Sequence, residues 1–387
     1  MSTEASKLAG DVAIVGAGVF GAWTAYQLRQ LGASVILIDQ YGAGNNRASS
    51  GGETRVIRMG YGPDEIYTRS AQRSLELWRE IIEQCELPLF HRTGVLWLTR
   101  DDDAYSIATL STLERTGVVF QKLTRVELEQ AFPQIDFGLT SWAIFEPESG
   151  VLMARQGVRA VVKLAVHNGS TYLNDGVTPP TGKTKLESVT TVGGRRIEAE
   201  TFVFACGPWL PKIFPDLLAD LIHVTRQEVF FFGVPPGDVS FSAPAMPVWI
   251  DFNDLVYAIP DVENRGFKIA IDAHGPSFDP DSGERVVTQE CLAVARRHLA
   301  QRVPSLARAP ILETRVCQYE NTSNGDFLID RHPAFENVWI VGGGSGHGFK
   351  HGPVVGECVA KALSSGGQVE PRFRLAAKAK IHRRQVF

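Results

Sequence analysis

The first forty residues contain two apolar runs of strand length, separated by a glycine-rich turn and an amphipathic segment. Residues 11–15 read DVAIV and residues 34–39 read SVILID. Between them, apolar residues at positions 22, 25, 28 and 31 fall on one face of a helix, and Gly32 ends that helix. The pattern predicts a strand, a helix and a second strand, which form the βαβ unit of a parallel sheet.

The turn after the first predicted strand reads GAGVFG at residues 16–21, with the spacing G-x-G-x-x-G. In such a turn Gly16 allows the sharp bend, Gly18 lets a pyrophosphate approach the backbone, and Gly21 lets the helix pack on the strand. The N-terminus of the helix then faces the anion. Asp39 ends the second predicted strand, where an acidic side chain accepts hydrogen bonds from a ribose. The segment predicts a dinucleotide site, and the motif alone does not separate NAD from FAD.

Later apolar runs predict further strands. Residues 226–232 (RQEVFFF) and 256–260 (VYAIP) indicate strands of a larger, mostly antiparallel sheet. Residues 338–341 (VWIV) indicate a buried strand that a glycine-rich loop joins to a helix near Pro353. In GFKIAI, at residues 266–271, alternation places Phe267 and Ile269 on one face and Lys268 on the other. From spacing alone, Lys268 is an exposed charge at a sheet edge.

Two arginines stand three residues apart in a segment rich in small residues, at positions 55 and 58. If residues 54–58 are extended, Arg55 and Arg58 lie on opposite faces, so that one meets a cofactor and the other enters a cavity. The alternative is two surface arginines.

Composition limits the class of protein. The chain has 387 residues, which at roughly 150 residues per domain predicts at least two domains. A formal net charge of -4 excludes the basic surface that nucleic acid requires. The apolar stretch at 12–26 is too short to span a bilayer, and we expect no signal peptide and no membrane partner. Five cysteines are too few for a disulfide framework, which predicts a reducing, cytoplasmic location.

Ordered motifs along nearly the whole chain resemble the monomeric sarcosine oxidase family of FAD-dependent amine oxidases, within the wider D-amino-acid-oxidase-like group. Besides GAGVFG, the matching motifs are SGGETRVIR at 50–58, FEPESGVL at 145–152, FACGPW at 204–209, GFK at 266–268, CQYENTSNGDFLIDRHP at 317–333 and GGGSGHGFKHG at 342–352. Motifs that recur in one order are more specific than any one of them.

The resemblance implies an α/β fold, with a Rossmann-like FAD-binding domain and a second α+β substrate domain built on a mostly antiparallel sheet. The motif positions predict the FAD-binding domain at 1–85, 145–222 and 325–387, and the substrate domain at 86–144 and 223–324. Both predicted domains are therefore discontinuous. The family also suggests a monomer.

The resemblance implies that the dinucleotide is FAD. It assigns cofactor contact to fifteen positions, although a glycine beside a proline, as at position 207, also fits a plain turn. These positions are Gly16, Gly18, Val19, Phe20, Gly21, Asp39, Ser50, Thr54, Arg55, Val177, Gly207, Cys317, Gly346, Gly348 and Lys350.

Cys317 occupies the place of the family's covalent cysteine, which implies a thioether from its sulfur to the flavin 8α-methyl group. Arg315 favours a thiolate there if it shares the same face of the strand. From the residue alone, a free cysteine is a small buried hydrophobe. The remaining cysteines lack this context and are predicted to be structural: Cys85, Cys206, Cys291 and Cys358.

The resemblance also implies catalytic roles. Arg58 and Lys350 match two cations that hold the substrate carboxylate, which indicates an amino-acid substrate. Lys268 matches the position beside the flavin where O2 reacts, because a fixed cation stabilises superoxide. Tyr257 and Tyr319 match aromatic positions of the substrate pocket, although core packing is the alternative for both.

Three positions depart from the family pattern. Glu320 stands where relatives commonly have threonine, Asp272 where sarcosine oxidases have histidine, and Ser50-Gly51 in place of a histidine pair. We expect the two acids to change the charge of the substrate pocket. They indicate a substrate with an additional positive or polar group, or a primary amine, in place of simple sarcosine.

The expected function is an FAD-dependent oxidase of an amino acid or N-alkylated amino acid. A hydride equivalent passes from the C–N unit to flavin N5, the imine hydrolyses, and O2 is reduced to H2O2. The same half-reaction also fits a dehydrogenase that passes electrons to a quinone or carrier protein. A non-catalytic FAD- or NAD-binding module is the further alternative. The sequence shows no metal-ligand constellation, and flavin chemistry needs none.

Overall fold

The computed structural model describes residues 7–182 and 184–380. In this part of the chain, eighteen strands form three sheets. The strands are β1 (Leu8–Val15), β2 (Val35–Ile38), β3 (Thr54–Ile57), β4 (Phe90–His91), β5 (Val95–Thr99), β6 (Gln121–Thr124), β7 (Trp142–Glu146), β8 (Gly150–Met153), β9 (Thr171–Leu173), β10 (Ser188–Thr190), β11 (Arg196–Phe204), β12 (Ile222–Phe232), β13 (Val248–Asp251), β14 (Val256–Ile259), β15 (Phe267–Ile271), β16 (Ile311–Thr322), β17 (Leu328–Arg331) and β18 (Val338–Gly342).

Nine α-helices accompany the sheets within the described residues. They are α1 (Val19–Gln30), α2 (Glu65–Cys85), α3 (Ala104–Thr116), α4 (Arg125–Ala131), α5 (Ala154–His167), α6 (Leu210–Ile213), α7 (Pro215–Leu218), α8 (Gln289–Arg302) and α9 (Gly352–Ser365).

The first sheet contains the predicted βαβ unit. Its strand order is β17-β18-β11-β1-β2-β9, and β10 adds to β11. Strands β1, β2, β9, β11 and β18 run parallel, whereas β17 and β10 pair antiparallel with their neighbours. Helix α1 connects β1 to β2. The Rossmann-like part of the predicted fold is thereby confirmed.

Two glycines of the first turn explain how α1 begins directly against the end of β1. Gly16 has φ of +104°, a conformation that side chains disfavour, and a Cβ there would collide with the backbone of Ala205, which directly follows β11. A Cβ on Gly21 would collide with the carbonyl oxygen of Gly16. The turn therefore needs glycine at both positions for helix, turn and sheet to pack closely.

The second sheet is mostly antiparallel, as predicted. Its order is β16-β12-β15-β14-β13-β5-β7-β6, and only the pair β13–β5 is parallel. The strands predicted at 226–232 and 256–260 are found as β12 and β14. Phe267 and Ile269 pack in the core on one face of β15, and Lys268 lies on the other face. A small sheet, β3-β8-β4, completes the β-structure of the described residues.

Apolar side chains fill three layers. The largest cluster joins α1, α2, α5 and α9 to the first sheet and to one face of the second, and it includes the buried Trp23 and Trp78. A second cluster covers the opposite face of the second sheet beneath α4 and α8. A third lies on the outer face of the first sheet. Both sheets are thus covered on two sides, which is why many of their strands read as continuous apolar runs.

The predicted domain boundaries stay a prediction. One of them, at 145, falls inside β7, which belongs to the second sheet. The basic tail at 376–387 is described only to residue 380, so the part at 381–387 lies outside the described residues. Among the helices of the described ranges, none has both the length and the apolar character needed to cross a membrane.

Candidate active site

A large cavity lies at the carboxyl ends of β1, β2 and β11, where α/β sheets bind their ligands. Its volume is about 1170 Å³ when the open mouth is included. The wall contains the glycine turn, Asp39, the turn at 48–50, the segment at 205–209 and the loop at 344–349. We refer to it as the larger cavity.

The glycine turn is held in a form that suits a dinucleotide. The amide of Ala17 donates to Asp39 Oδ2 at 2.8 Å, and the amide of Val19 donates to Ser50 Oγ at 3.0 Å. A Cβ on Gly18 would meet only Ser50 Oγ within 4 Å, so its open side faces the cavity. Backbone amides at a helix N-terminus, an acid at the next strand end and a mostly apolar wall fit pyrophosphate, ribose and aromatic ring in turn.

A smaller cavity adjoins the larger one. Three basic side chains, Arg55, Arg58 and Lys350, line it, together with two tyrosines and Asp272. Five residues border both cavities: Arg55, Cys317, Tyr319, Gly346 and Phe349. A group bound in the larger cavity is therefore separated from one in the smaller cavity only by this shared wall.

Arg58 and Lys350 are both buried at the smaller cavity. The guanidinium of Arg58 donates to the carbonyl of Gly60 at 2.6 Å and stacks on Tyr61 and Trp97, at 4.4 and 4.7 Å from the ring centres. Lys350 Nζ donates to the Tyr61 hydroxyl at 2.8 Å. Burial lowers the pKa of Lys350 well below its ordinary range, and Arg58 lowers it further, so the site favours a negatively charged ligand.

Asp272 faces the same cavity. Its Oδ1 accepts a hydrogen bond from the Tyr319 hydroxyl at 2.8 Å. Burial raises the pKa of Asp272, whereas the Tyr319 hydrogen bond, Arg58 and Lys350 lower it, and the net shift is upward. An acid therefore stands in the smaller cavity within the influence of two basic groups.

Lys268 is buried, with an exposed fraction of 2%, and lines neither cavity. Its Nζ donates to the carbonyl of Thr54 at 3.1 Å and lies 5.6 Å from the Tyr257 ring centre. The expectation from spacing, an exposed edge charge, is wrong because β15 is an inner strand of the sheet and Lys268 points towards β3. Burial, with a further contribution from Arg55, lowers the pKa of Lys268 well below its ordinary range.

Cys317 is in contact with Arg55. The Arg55 guanidinium approaches Cys317 Sγ at 3.4 Å and donates to the carbonyl of Ser49 at 2.7 Å. Arg315, the neighbour expected from the sequence, instead pairs with Glu53 at 3.5 Å. The cation beside the sulfur thus comes from β3, which no local spacing predicts.

Glu320 lines the larger cavity and not the smaller one. Successive residues of β16 face opposite sides, so Cys317 and Tyr319 border both cavities while Gln318 and Glu320 border only the larger. Glu320 was expected to change the charge of the substrate pocket, but its side chain borders the other cavity. Its Oε1 accepts from the Gly344 amide at 3.2 Å, and within the described residues its buried Oε2 has no partner.

Glu320 gives the first prediction. Burial raises its pKa from 4.5 to about 7, so its proton stabilises the folded state at low pH and this contribution falls as pH rises from about 4.5 to 7. We expect Glu320→Gln, which stays neutral, to gain free energy of unfolding relative to the wild type over that interval, by up to about 3 kcal/mol. Denaturant unfolding of the cofactor-free protein at pH 5 and pH 8 measures it. An equal difference at both pH values contradicts the prediction.

The larger cavity collects most of the predicted cofactor residues, and three of the fifteen lie elsewhere. Gly21 packs under the turn, Thr54 holds Lys268, and Lys350 lines the smaller cavity. Of the predicted catalytic residues, four border the smaller cavity: Arg58, Tyr257, Tyr319 and Lys350. The sequence reasoning did not single out Tyr61 and His351, both buried beside Lys350, although two histidines four residues apart in GHGFKH were a visible signal.

The parallel sheet, the glycine turn and the two adjoining cavities are features of an enzyme that binds a dinucleotide beside a second, smaller ligand. Residues 11–362 match the family described as FAD dependent oxidoreductase, and the chain belongs to that family. It is similar to the monomeric sarcosine oxidase of Bacillus sp. (strain NS-129), with 31% identity over 364 residues that cover 92% of this chain and 93% of that protein. The family expected from the ordered motifs, its FAD and its amine oxidoreductase class are thereby confirmed.

Two further proteins extend the comparison. The N-methyl-L-tryptophan oxidase of Salmonella arizonae (strain ATCC BAA-731 / CDC346-86 / RSK2980) is 27% identical over 371 residues, which cover 90% of this chain and 93% of that protein. The crystal structure of L-proline dehydrogenase from P. horikoshii superposes with a TM-score of 0.85 at 22% identity, over 96% of this chain and 98% of that one. The second likeness supports the fold alone.

Proposed function

We propose that the protein oxidises the C–N bond of an amino acid or N-alkylated amino acid and passes the electrons to O2. One observation carries the proposal: a cavity with buried Arg58 and Lys350 shares a wall with the cavity that fits the dinucleotide. The Arg58 guanidinium and the Lys350 amine both offer N–H donors to a carboxylate, and the shared wall places the rest of the substrate next to the cofactor. Bound FAD supplies the two-electron acceptor for this chemistry.

The chain's own residues bind and orient the substrate. Arg58 is fixed by Gly60 and by two aromatic faces, so it presents its charge with little loss of freedom on binding. Lys350, which is distant from Arg58 in the sequence, supplies a second hydrogen-bond donor in the same cavity. Tyr257 and Tyr319 form aromatic walls, and these walls and Phe252 exclude water from the reacting carbon.

Two finer points belong to the proposal. We infer that Cys317 carries the flavin through a thioether, because its buried sulfur borders both cavities and Arg55 lies beside it to stabilise negative charge. We also infer that Lys268, which is held between Thr54 and Tyr257, serves the reaction with O2. The cytoplasmic location and the monomeric state remain predictions.

Anaerobic mixing of the purified flavoprotein with a panel of amino acids tests the proposal. The panel contains sarcosine, N-methyl-L-tryptophan, L-proline and primary L-amino acids with neutral and cationic side chains. We expect at least one member to bleach the flavin absorbance, and air to restore it with one H2O2 formed per turnover. Bleaching without peroxide favours the dehydrogenase, and no bleaching by any member contradicts the oxidoreductase assignment to amino acids.

Asp272 gives a prediction about substrate choice. Because it adds an acidic acceptor to a cavity that already binds a carboxylate, we expect a primary amine or a second cationic group on the substrate. Asp272→Asn should then lower the preference for such amino acids over sarcosine, measured as the ratio of kcat/KM values, by about tenfold or more.

A second acid of the same cavity offers the matched control. Glu228 also lines the smaller cavity, but its carboxylate already accepts from Arg226 at 2.8 Å and from the Thr288 amide at 2.8 Å. We therefore expect Glu228→Gln to leave the ratio unchanged within about threefold. An equal change in both variants would mean that general charge, and not Asp272, sets the preference.

A further inference from the structure

A chain of hydrogen bonds leads from the smaller cavity through the protein to helix α2. Lys350 Nζ lies 2.8 Å from the Tyr61 hydroxyl, which lies 2.8 Å from His351 Nε2. The other ring nitrogen, His351 Nδ1, lies 2.9 Å from Ser70 Oγ. Lys350, Tyr61 and His351 are buried, whereas Ser70 on α2 is partly exposed. The four groups therefore connect a closed site with the surface.

In each of these hydrogen bonds, the donor and the acceptor can exchange roles. The hydroxyls of Tyr61 and Ser70 both donate and accept, and a neutral imidazole carries its proton on either nitrogen. In one arrangement Lys350 donates to Tyr61, Tyr61 to His351 Nε2, and His351 Nδ1 to Ser70. In the other, Ser70 donates to Nδ1, Nε2 donates to Tyr61, and Tyr61 donates to the neutral amine of Lys350. A path with two such arrangements can carry a proton without moving a heavy atom.

The surroundings keep the path dry and its groups neutral. Burial, then Lys350, His347 and Arg58, lower the pKa of His351 well below its ordinary range. The side chains around His351 are the rings of Tyr61, Tyr67, Phe327 and His347, together with Ser70. A neutral imidazole in an aromatic shell accepts and gives up one proton without retaining it.

Tyr61 also contacts a second histidine. His347 Nδ1 also lies near the Tyr61 hydroxyl, at 3.2 Å, but its Nε2 faces the carbonyl of Gly325 at 3.1 Å. A backbone carbonyl accepts a hydrogen bond and has no proton to pass on. The ring nitrogens of His347 thus lie between Tyr61 and a carbonyl, whereas those of His351 lie between Tyr61 and the Ser70 hydroxyl.

We propose that Lys350, Tyr61, His351 and Ser70 form a proton path between the smaller cavity and the protein surface. The inference rests on the proposed function, because an amino acid arrives with a protonated amine and its C–N bond is oxidised from the neutral amine. The substrate N–H bond breaks, Lys350 takes the proton, and one proton leaves from Ser70 to solvent, with no change in electrons. Tyr61, His351 and Ser70 act through Lys350 and touch no substrate.

The test follows proton release with a pH indicator during anaerobic stopped-flow mixing of the holoenzyme with the panel amino acid that bleaches the flavin. Two buried tyrosines whose rings lie 5.2 Å apart supply matched variants: Tyr61→Phe breaks the path, and Tyr67→Phe removes only a hydrogen bond to Asp326. We expect proton release to slow at least about tenfold in Tyr61→Phe and to change less than about twofold in Tyr67→Phe. Ser70→Ala, which leaves the partners of Lys350 in place, should slow release as well.

A structural role would change affinity and leave the proton kinetics alone. We therefore compare Kd and the solvent deuterium isotope effect on proton release in the same variants, and expect the isotope effect to change only in Tyr61→Phe, His351→Gln and Ser70→Ala. Equal release rates in Tyr61→Phe and Tyr67→Phe, or a change in Kd alone, overturn the proposal.

A second probe separates the path from the proposed function. Acetate offers a carboxylate without an amine, and its binding beside a neutral Lys350 draws one proton inward along the same groups. If no amino acid bleaches the flavin but acetate-driven proton uptake is slow in Tyr61→Phe and normal in Tyr67→Phe, the path stands and the proposed function fails. Equal uptake rates reject the path whatever the substrate is.

Discussion

Replacing Lys268 with methionine is expected to slow the reaction of the reduced enzyme with O2 by about 10²–10³-fold, the usual effect of removing one preorganised stabilising group. Lys268 is held by the carbonyl of Thr54 and by the faces of Tyr257 and Phe231, so its amine has a fixed position. Burial lowers the pKa of Lys268. Negative charge that develops on nearby oxygen favours the protonated amine, which in turn stabilises that negative charge. Methionine matches the lysine side chain as far as Cε and removes the amine.

Flavin reduction and flavin reoxidation can be measured separately, and the prediction concerns reoxidation alone. Stopped-flow mixing of reduced enzyme with aerated buffer measures the reoxidation rate, and anaerobic mixing with substrate measures the reduction rate. Because Lys268 lines neither cavity, we expect reduction to change less than about threefold. A reoxidation rate within twofold of the wild type would remove Lys268 from the oxygen reaction. Reduction and reoxidation that fall together would indicate a general disturbance of the site.

Local sequence was sufficient to predict the βαβ unit with its glycine turn, and insufficient to predict the contacts that distant segments make around it. The βαβ unit was predictable because Gly16, Gly18, Gly21 and Asp39 lie within one supersecondary unit, whose spacing follows from backbone geometry. The alternation of residues along β15 was also predictable, and it correctly placed Lys268 and Phe267 on different faces of the strand. Whether the face of Lys268 was exposed depended on the order of strands in the second sheet, which local spacing does not contain.

Contacts between distant segments explain the remaining differences. Arg55 and Cys317 are 262 residues apart in sequence and meet because the fold brings β3 and β16, strands of two different sheets, into contact. Glu320 follows Tyr319 directly but faces another cavity, since the pleat of β16 turns neighbours to opposite sides. Tyr61 and His351 are 290 residues apart. Motif resemblance identified residues of the site, whereas their partners became visible only when the strands were assembled.

Replacing Cys317 with serine is expected to abolish covalent attachment of the flavin completely. After acid precipitation, the wild-type protein should retain its yellow colour in the pellet, and Cys317→Ser should release all of it into the supernatant. The physical reason is that a thioether survives acid denaturation, whereas noncovalent contacts in the larger cavity do not. Intact-protein mass spectrometry gives a second readout, because only the wild type should gain the mass of the cofactor.

Cys206 provides the control for this experiment. It lines the same cavity, but its Sγ points to the carbonyl of Val15 at 3.4 Å, and burial raises its pKa, with Asp39 and Glu320 adding to the shift. A buried thiol without a cationic neighbour is a poor nucleophile, so Cys206→Ser should keep the colour in the pellet. Colour released from the wild type would show that the flavin is held by contacts alone. Release from Cys206→Ser and not from Cys317→Ser would move the linkage to the other wall of the cavity, away from Arg55.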